Sequence, residues 1–586
     1  MDISIAEATA FLSSWFVRDA FFVFAVSEGI DMHFRDMPYT RVIYEEVEKR
    51  YQELFARVKD ASCEEDCRAV LEEHSRLQDD MTSISLCAVH HDMDMNDAFY
   101  AAEQNYYDEI GPKIYDLENE FGRLLTESSC SGSFEKLMGE FAFSIIRIGL
   151  DGYDSRLISL EQEENSLTGQ YSRLTANGKA EYNGQMVSRS SLTAESESPD
   201  REVRHRVSDA LARSWETQRE ELELLFDRLV QNRDAQARML GFENYVPLGY
   251  LRMSRIGYTP DDVRCFRDQV KQYIVPIAAK LHRQRRTRLG LDHMYGFDSS
   301  VFFPEGNPVP LGDDRFCLEM TREMFARLSP ETEEFINFLL ENGLYDVEAR
   351  EGKFTGAYCA QFDAYRCPFI LADFDGTSEN AYVMSHEGGH AFYFYLKRGE
   401  KIRERGCYTS EMAETHAMSM EFFLAPYMEL FFGDKADDYR KMHLENAVMR
   451  IVYQCEQDEF QEIIYRNPKL TPKERNKVWE KLEKEYFPFR EYTEEEKQRI
   501  GSRWQKIPHT YLWPFYAIDY GLAQVCALEY AQWMQEDFNA AWKSYLTFCE
   551  SSGNMNFAEA VKTAGLGSPF EEGCLEKLMI WLDQQL

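Results

Sequence analysis

No uninterrupted apolar stretch in this chain of 586 residues approaches the roughly 20 residues that a helix needs to cross a bilayer, which argues against a membrane role. The most apolar segment, Ala10 to Val26, contains Arg18 and Asp19, follows acidic Asp2 and has no basic region before it, so it fits neither a signal peptide nor a span. Positive charge is also scarce. Lys and Arg total 65 against 102 Asp and Glu, a formal charge of −37, which repels phosphate backbones and anionic lipid surfaces and excludes nucleic acid as an expected partner. Regular cysteine spacing is missing too: the 13 cysteines are an odd number without pattern, so they read as buried or free thiols in a reducing, cytoplasmic setting rather than as a disulfide framework. Cys63 and Cys67 can meet on one helix face, but a lone pair lacks the second half of a metal site. There is no internal repeat and no low-complexity segment.

What the chain does have is helical periodicity. Val47, Tyr51, Leu54, Phe55 and Val58 recur at three- and four-residue steps between charged neighbours, and most of the sequence behaves this way, so the fold is expected to be mainly α. A single core stops growing near roughly 250 to 300 residues, which implies at least two lobes. Lys179 to Leu192 is an exception, with Asn183-Gly184 as a two-residue hairpin turn. Just beyond it, Ser198-Pro199-Asp200 reads as a helix start with Ser198 as cap and Pro199 in the first helical position. The boundary is therefore placed near residue 200, giving an N-terminal helical lobe over 1–200 and a second domain over 201–586. Two further short strands are expected at Gly352 to Tyr358 and Pro368 to Phe374. The second is either a sheet edge able to pair with an extended peptide or a covered core strand.

The chemistry is concentrated in Val383-Met384-Ser385-His386-Glu387-Gly388-Gly389-His390-Ala391-Phe392. Side chains at i and i+4 of a helix lie one above the other, so His386 and His390 can reach one metal ion while Glu387 sits where it can take a proton from a water beside it. Thr377 and Ser378 are cap candidates and Lys397-Arg398-Gly399 a stop, which gives a helix of about five turns. Gly388 and Gly389 each cost that helix roughly 0.5–1 kcal/mol relative to Ala, so something is expected to pack very close to its backbone, either a substrate strand or a second ligand helix. The bland alternative is a core helix whose histidines are merely hydrogen-bonded.

A zinc hydrolase site needs a third protein ligand and an open position. The segment Cys407 to Phe423 reads as a helix capped near Ser410, on which Glu414 and Glu421 are nearly aligned. Glu414 can ligate while Glu421 orients a ligand histidine, and Glu411 competes for the ligand role from one turn earlier. His416 points about 200° away from Glu414 and is expected to pack or meet solvent.

Together with Gly352-Lys353-Phe354-Thr355-Gly356-Ala357-Tyr358-Cys359, Pro368-Phe369-Ile370-Leu371 and the run Ile507 to Ala523, these motifs resemble the thimet oligopeptidase and oligoendopeptidase F family of zinc peptidases, closer to the oligoendopeptidase F branch. The resemblance spans roughly Asp200 to the C-terminus. It implies one zinc ion per chain held by His386, His390 and Glu414, Glu387 as general base, and Glu421 behind a ligand. It further implies His509, Tyr516 and Tyr520 as donors to the substrate carbonyl, with Pro514 replacing a Gly-rich loop and Ile518 standing where many relatives carry Tyr. Two helical lobes around a deep channel, a small sheet beside the zinc helix, and internal cleavage of short unfolded oligopeptides follow from the same likeness. The rivals are a Taq-type zinc carboxypeptidase, whose His-Glu-Ser-Gln-like segment is not found, and an inactive metal-containing peptide-binding protein.

Overall fold

In the computed structural model, residues 32–354 and 356–585 are described; the apolar segment Ala10 to Val26 lies outside them. Along the chain the elements that matter below are α1 (Tyr44–Asp60), α2 (Glu64–Asp80), α3 (Ala98–Glu127), the hairpin β1 (Lys179–Tyr182) and β2 (Gln185–Ser188), α4 (Arg201–Glu216), α5 (Arg219–Met239) and α6 (Asp314–Leu328). Then come β3 (Tyr345–Asp346), β4 (Tyr358–Phe362), β5 (Cys367–Leu371), α7 (Glu379–Lys397), α8 (Ser410–Leu424), α9 (Ala436–Arg466), α10 (Ala517–Glu536) and α11 (Phe538–Ser551). The described chain is mainly α, with one two-stranded and one three-stranded sheet. Among the described residues no helix is long and apolar enough to cross a membrane.

Two compact units are present, and each is assembled from separated stretches of chain. Among the described residues, one comprises 32–151, 309–433 and 533–566; the other comprises 152–308, 434–532 and 567–585. In the first unit, Val47, Tyr51, Leu54, Phe55 and Val58 form the buried face of α1, as their spacing requires, and pack into a core with residues of α2 and α3. Glu45 and Glu46 in the first turn and Arg57 and Lys59 in the last complement the helix dipole.

That core encloses His74 of α2, only 7 % exposed, whose Nδ1 lies 2.9 Å from Glu404 Oε1 and whose Nε2 lies 3.2 Å from Glu118 Oε2. Burial alone pushes the imidazole down, but Glu118 and Glu404 outweigh it and raise its pKa to about 10. A folded-state value above the unfolded value of about 6.5 means that this charge stabilises the protein fully below about pH 6.5 and ceases to do so as pH rises through about 10. Denaturant titrations are therefore expected to show stability falling by a few kcal/mol over that window, at most about 1.36 kcal/mol per pKa unit, and His74→Gln is expected to flatten the slope.

In the second unit, Asn183 (φ 50°) and Gly184 (φ 75°) both take the left-handed conformation that a two-residue hairpin turn needs. The helix that follows starts later than expected. Its cap is Asp200, whose side chain accepts from Glu202 N, while Ser198 Oγ accepts from Asp200 N and Pro199 stays outside the helix. An aspartate two residues nearer the first buried residues wins the cap because its carboxylate also meets the positive end of the dipole.

The strands next to α7 are also shifted. None of the described residues from 352 to 357 lies in a strand; pairing begins at Tyr358 and runs to Phe362. The reason is Lys353, buried among backbone carbonyls: its Nζ donates to Ala372 O (2.6 Å), Asp346 Oδ1 (2.9 Å) and Glu348 O (3.0 Å), and Gly352 turns with φ 87° to allow it. The other strand spans Cys367–Leu371 rather than reaching Phe374, and it is the central one in the order β3-β5-β4, buried at every residue. It is therefore the covered core strand, and β4 lies at an edge.

Candidate metal centre

Helix α7 begins where Asp375-Gly376-Thr377 folds on itself. Asp375 Oδ1 accepts from Thr377 N (2.9 Å), and Thr377 Oγ1 accepts from Glu379 N (3.2 Å), satisfying one of the first free amides of the helix. Two turns further on, His386 and His390 project from one face with ring centroids 5.1 Å apart and ring planes nearly perpendicular. The glycines between them meet solid neighbours. A methyl group on Gly389 would fall 2.6 Å from Ala417 Cα and 2.9 Å from His416 O, and one on Gly388 would fall 2.5 Å from Phe325 Cζ of α6. The backbones of α7 and α8 therefore touch at Gly389, which identifies the close-packed neighbour as the second ligand helix.

This contact brings Glu414 of α8 to the histidines. One donor atom from each of His386, His390 and Glu414 lies within 4.8 Å of the others, and Glu411 does not belong to that group. His386 Nε2 and Glu414 Oε2 are 3.5 Å apart. Two donors of a tetrahedral zinc ion, each about 2.0–2.2 Å from it, are separated by about 3.3–3.6 Å, so the His386–Glu414 pair fits such an ion in spacing and the three donors fit it in chemistry. Glu421 Oε1 sits 2.7 Å from His386 Nδ1, fixing the tautomer that leaves Nε2 for a metal. His416 lies elsewhere: it is buried, stacked on Tyr393 at 4.2 Å, and its Nε2 is 2.9 Å from Ser552 Oγ.

The electrostatics follow from burying this many ionisable groups together. Burial pushes Glu387 up, with Glu414 and Glu421 adding to the effect and His386 opposing it, to about 7. Burial lowers His386, but Glu421, Glu387 and Glu414 outweigh it and raise the value to about 9. His390 is driven well below its usual range, by burial first and then by His386 and His416. Three carboxylates around a buried pair of imidazoles call for a cation. With Glu421→Ala, His386 loses its orienting partner, and metal affinity measured by chelator competition is expected to fall about 10–100-fold.

In the second unit a different cluster is held. His509, Tyr516 and Tyr520 pack with ring centroids 5.4 Å (His509–Tyr516), 5.9 Å (His509–Tyr520) and 5.1 Å (Tyr516–Tyr520) apart. Burial pushes His509 down to about 4, so it is a neutral imidazole near pH 7. The loop between them carries Phe515 in the left-handed region at φ 71°, a strained setting for a non-glycine residue. It is clamped from both sides: Phe515 N donates to Gln461 Oε1 (2.5 Å), while Arg255 Nη2 donates to Phe515 O and, at 2.8 Å, to Asp519 Oδ1. Ile518 is fully buried and carries no donor.

Residues 34–152 match the pattern of the peptidase M3 N-terminal domain, and residues 195–303 and 331–580 match that of peptidase family M3. The chain belongs to peptidase family M3. Within it the likeness is to the oligoendopeptidase F branch. The structure of PZ peptidase A with an inhibitor shares 37 % identity over 94 % of this chain and 99 % of that one, with a TM-score of 0.89. A Bacillus anthracis protein labelled oligoendopeptidase F shares 34 % over 95 % and 99 %, with a TM-score of 0.84. Oligopeptidase PepF of Bacillus subtilis is 24 % identical over 400 residues, 64 % of this chain and 56 % of the relative, so the match spans little more than half of that protein's length.

Sequence reasoning on this M3 chain missed the supports rather than the motif. Arg255, Gln461 and Asp519 hold the Phe515 loop through contacts between residues far apart in sequence, as does Gly249, where a methyl group would strike the Phe515 ring at 2.6 Å. No local pattern announces such pairs. The one available signal was Gly249 inside an otherwise apolar helical stretch.

Proposed function

We propose that this M3 chain is a zinc-dependent oligoendopeptidase that hydrolyses internal peptide bonds of short, unfolded oligopeptides. The convergence of His386, His390 and Glu414, with Glu387 beside them and Glu421 behind His386, carries the reading. These three residues would hold one zinc ion, which when bound polarises the scissile carbonyl and makes water acidic enough to ionise near pH 7. Glu387 takes the proton of the attacking water and returns it to the leaving amine, so no covalent enzyme intermediate is needed. Its burial keeps that proton in a dry setting, and a bound cation would favour the ionised form that takes it up.

His509, Tyr516 and Tyr520 are assigned, on the family pattern, hydrogen-bond donation to the substrate carbonyl as negative charge develops there. Neutral imidazole and phenols suit that task without competing for a metal. The edge strand β4 offers free backbone groups to an extended peptide, a way of holding substrates without reading their side chains. The free thiols of the chain suit a reducing, cytoplasmic compartment. Residues 201–586 are read as the catalytic domain, and 1–200 as a helical lobe that contributes to substrate selection.

Internally quenched peptides incubated with the protein, with and without a chelator, test this reading by mass spectrometry. Internal cleavage that stops on chelation and returns with stoichiometric zinc is expected. Stepwise loss of C-terminal residues would instead indicate a carboxypeptidase, and peptide binding without products an inactive carrier.

A further inference from the structure

The second unit carries a small recess of about 40 Å³ between the end of α4, the start of α5 and the short helix Ile500–Lys506. Its walls include Trp215, Arg219, Arg499, Arg503 and Lys506, with Glu216 as the acid among the lining residues. Glu216 is already taken by Arg219 at 2.8 Å, and Arg503 reaches Glu483 only at 3.7 Å. Among the described residues, Arg499 and Lys506 form no ion pair with a carboxylate, and Glu496 acts on Lys506 from further off. Behind the recess, the Arg189 guanidinium lies 3.8 Å from the Trp215 ring and donates to Ser214 Oγ (2.8 Å) and Gln218 Oε1 (2.6 Å), both neutral. Lys506 Nζ lies 6.0 Å from the same ring.

In a chain with 102 acidic and 65 basic residues, cations have carboxylates in excess to choose from. Here Arg219 and Arg503 keep Glu216 and Glu483, while Arg499 and Lys506 beside them form no ion pair among the described residues, so positive charge is in excess around the recess. The exposed Lys506 is pushed down, by desolvation first and then by Arg503, Arg189 and Arg499, with Glu496 opposing them. A polyvalent anion relieves this repulsion, and guanidinium forks beside an ammonium match the tetrahedral oxygens of a phosphate group better than the single plane of a carboxylate. We propose that this recess is a binding site for a phosphate-type oxyanion, held by Arg499, Arg503 and Lys506 beside Trp215.

The test is calorimetric titration of the full-length protein with inorganic phosphate at constant ionic strength, repeated with Arg499→Gln/Lys506→Gln and with Lys506→Arg. Saturable one-to-one binding is expected in the parent and in Lys506→Arg. At least about tenfold weaker binding is expected in the double variant, since a charge-assisted hydrogen bond is worth at least a factor of ten. Thermal unfolding without phosphate reports whether the double variant folds, and losing self-repulsion should leave its midpoint unchanged or higher. No saturable binding by the parent overturns the proposal. So does equal affinity in the folded double variant, which would place the phosphate elsewhere, for instance at the metal.

Discussion

Glu387→Gln is expected to purify with its full complement of zinc and to cleave peptides about 10²–10⁴-fold more slowly than the parent. The amide keeps the size and hydrogen-bonding reach of the carboxylate but cannot take up a proton. Glu387 is not one of the three residues whose donor atoms converge, so metal content should not change. Because the lost interaction is made in the transition state, the deficit should fall on kcat and leave KM nearly as it was. Burial, aided by Glu414 and Glu421, is what lifts this carboxyl to about 7 in the structure; a bound cation favours the ionised base. Parental kcat in the zinc-loaded variant would remove Glu387 from the mechanism.

Gly389→Ala is expected to do more damage than its single methyl group suggests. The added carbon would lie 2.6 Å from Ala417 Cα and 2.9 Å from His416 O, atoms of main chain that cannot rotate aside. Helices α7 and α8 must separate, and they carry His390 next to the substitution and Glu414 one turn before Ala417. Overpacking of this kind costs about 1–3 kcal/mol, and the displaced donors should release the metal as well. Gly388→Ala is the internal comparison. Its methyl meets the tip of the Phe325 ring, which can tilt, so the loss should be smaller. Metal analysis and thermal unfolding of the two variants measure the difference; equal behaviour would mean that the helix contact at Gly389 does not set the donor spacing.

How much of this was legible in the sequence depends on how local the cause is. Two histidines four apart on a helix share a face by geometry, and paired glycines amid apolar residues signal a close neighbour, so the character of α7 could be read without a structure. The glycines did not say which of the two expected neighbours it was; Ala417 answers that. Strand register between 352 and 362 was not legible. It turns on Lys353 burying its ammonium among carbonyls contributed by Asp346, Glu348 and Ala372, and nothing in a lysine's neighbours announces that. The start of α4 was misread because Ser198 and Asp200 both cap well, and the competition is settled by the first buried residues of the helix. The clamp on Phe515 by Arg255 and Gln461 joins residues that only tertiary folding brings together.

The meeting of main chain with main chain at Gly389 has a bearing on which ion the chain prefers. With no side chain between the two helices at that point, the spacing of their axes is set by main chain alone. Calcium prefers six to eight oxygens at about 2.3–2.6 Å, so under the proposed function two imidazoles and one carboxylate on helices in main-chain contact would suit an ion of zinc's size and ligand taste better. On that reading, selection among ions would rest on the frame at Gly389, next to His390, as much as on the donors themselves.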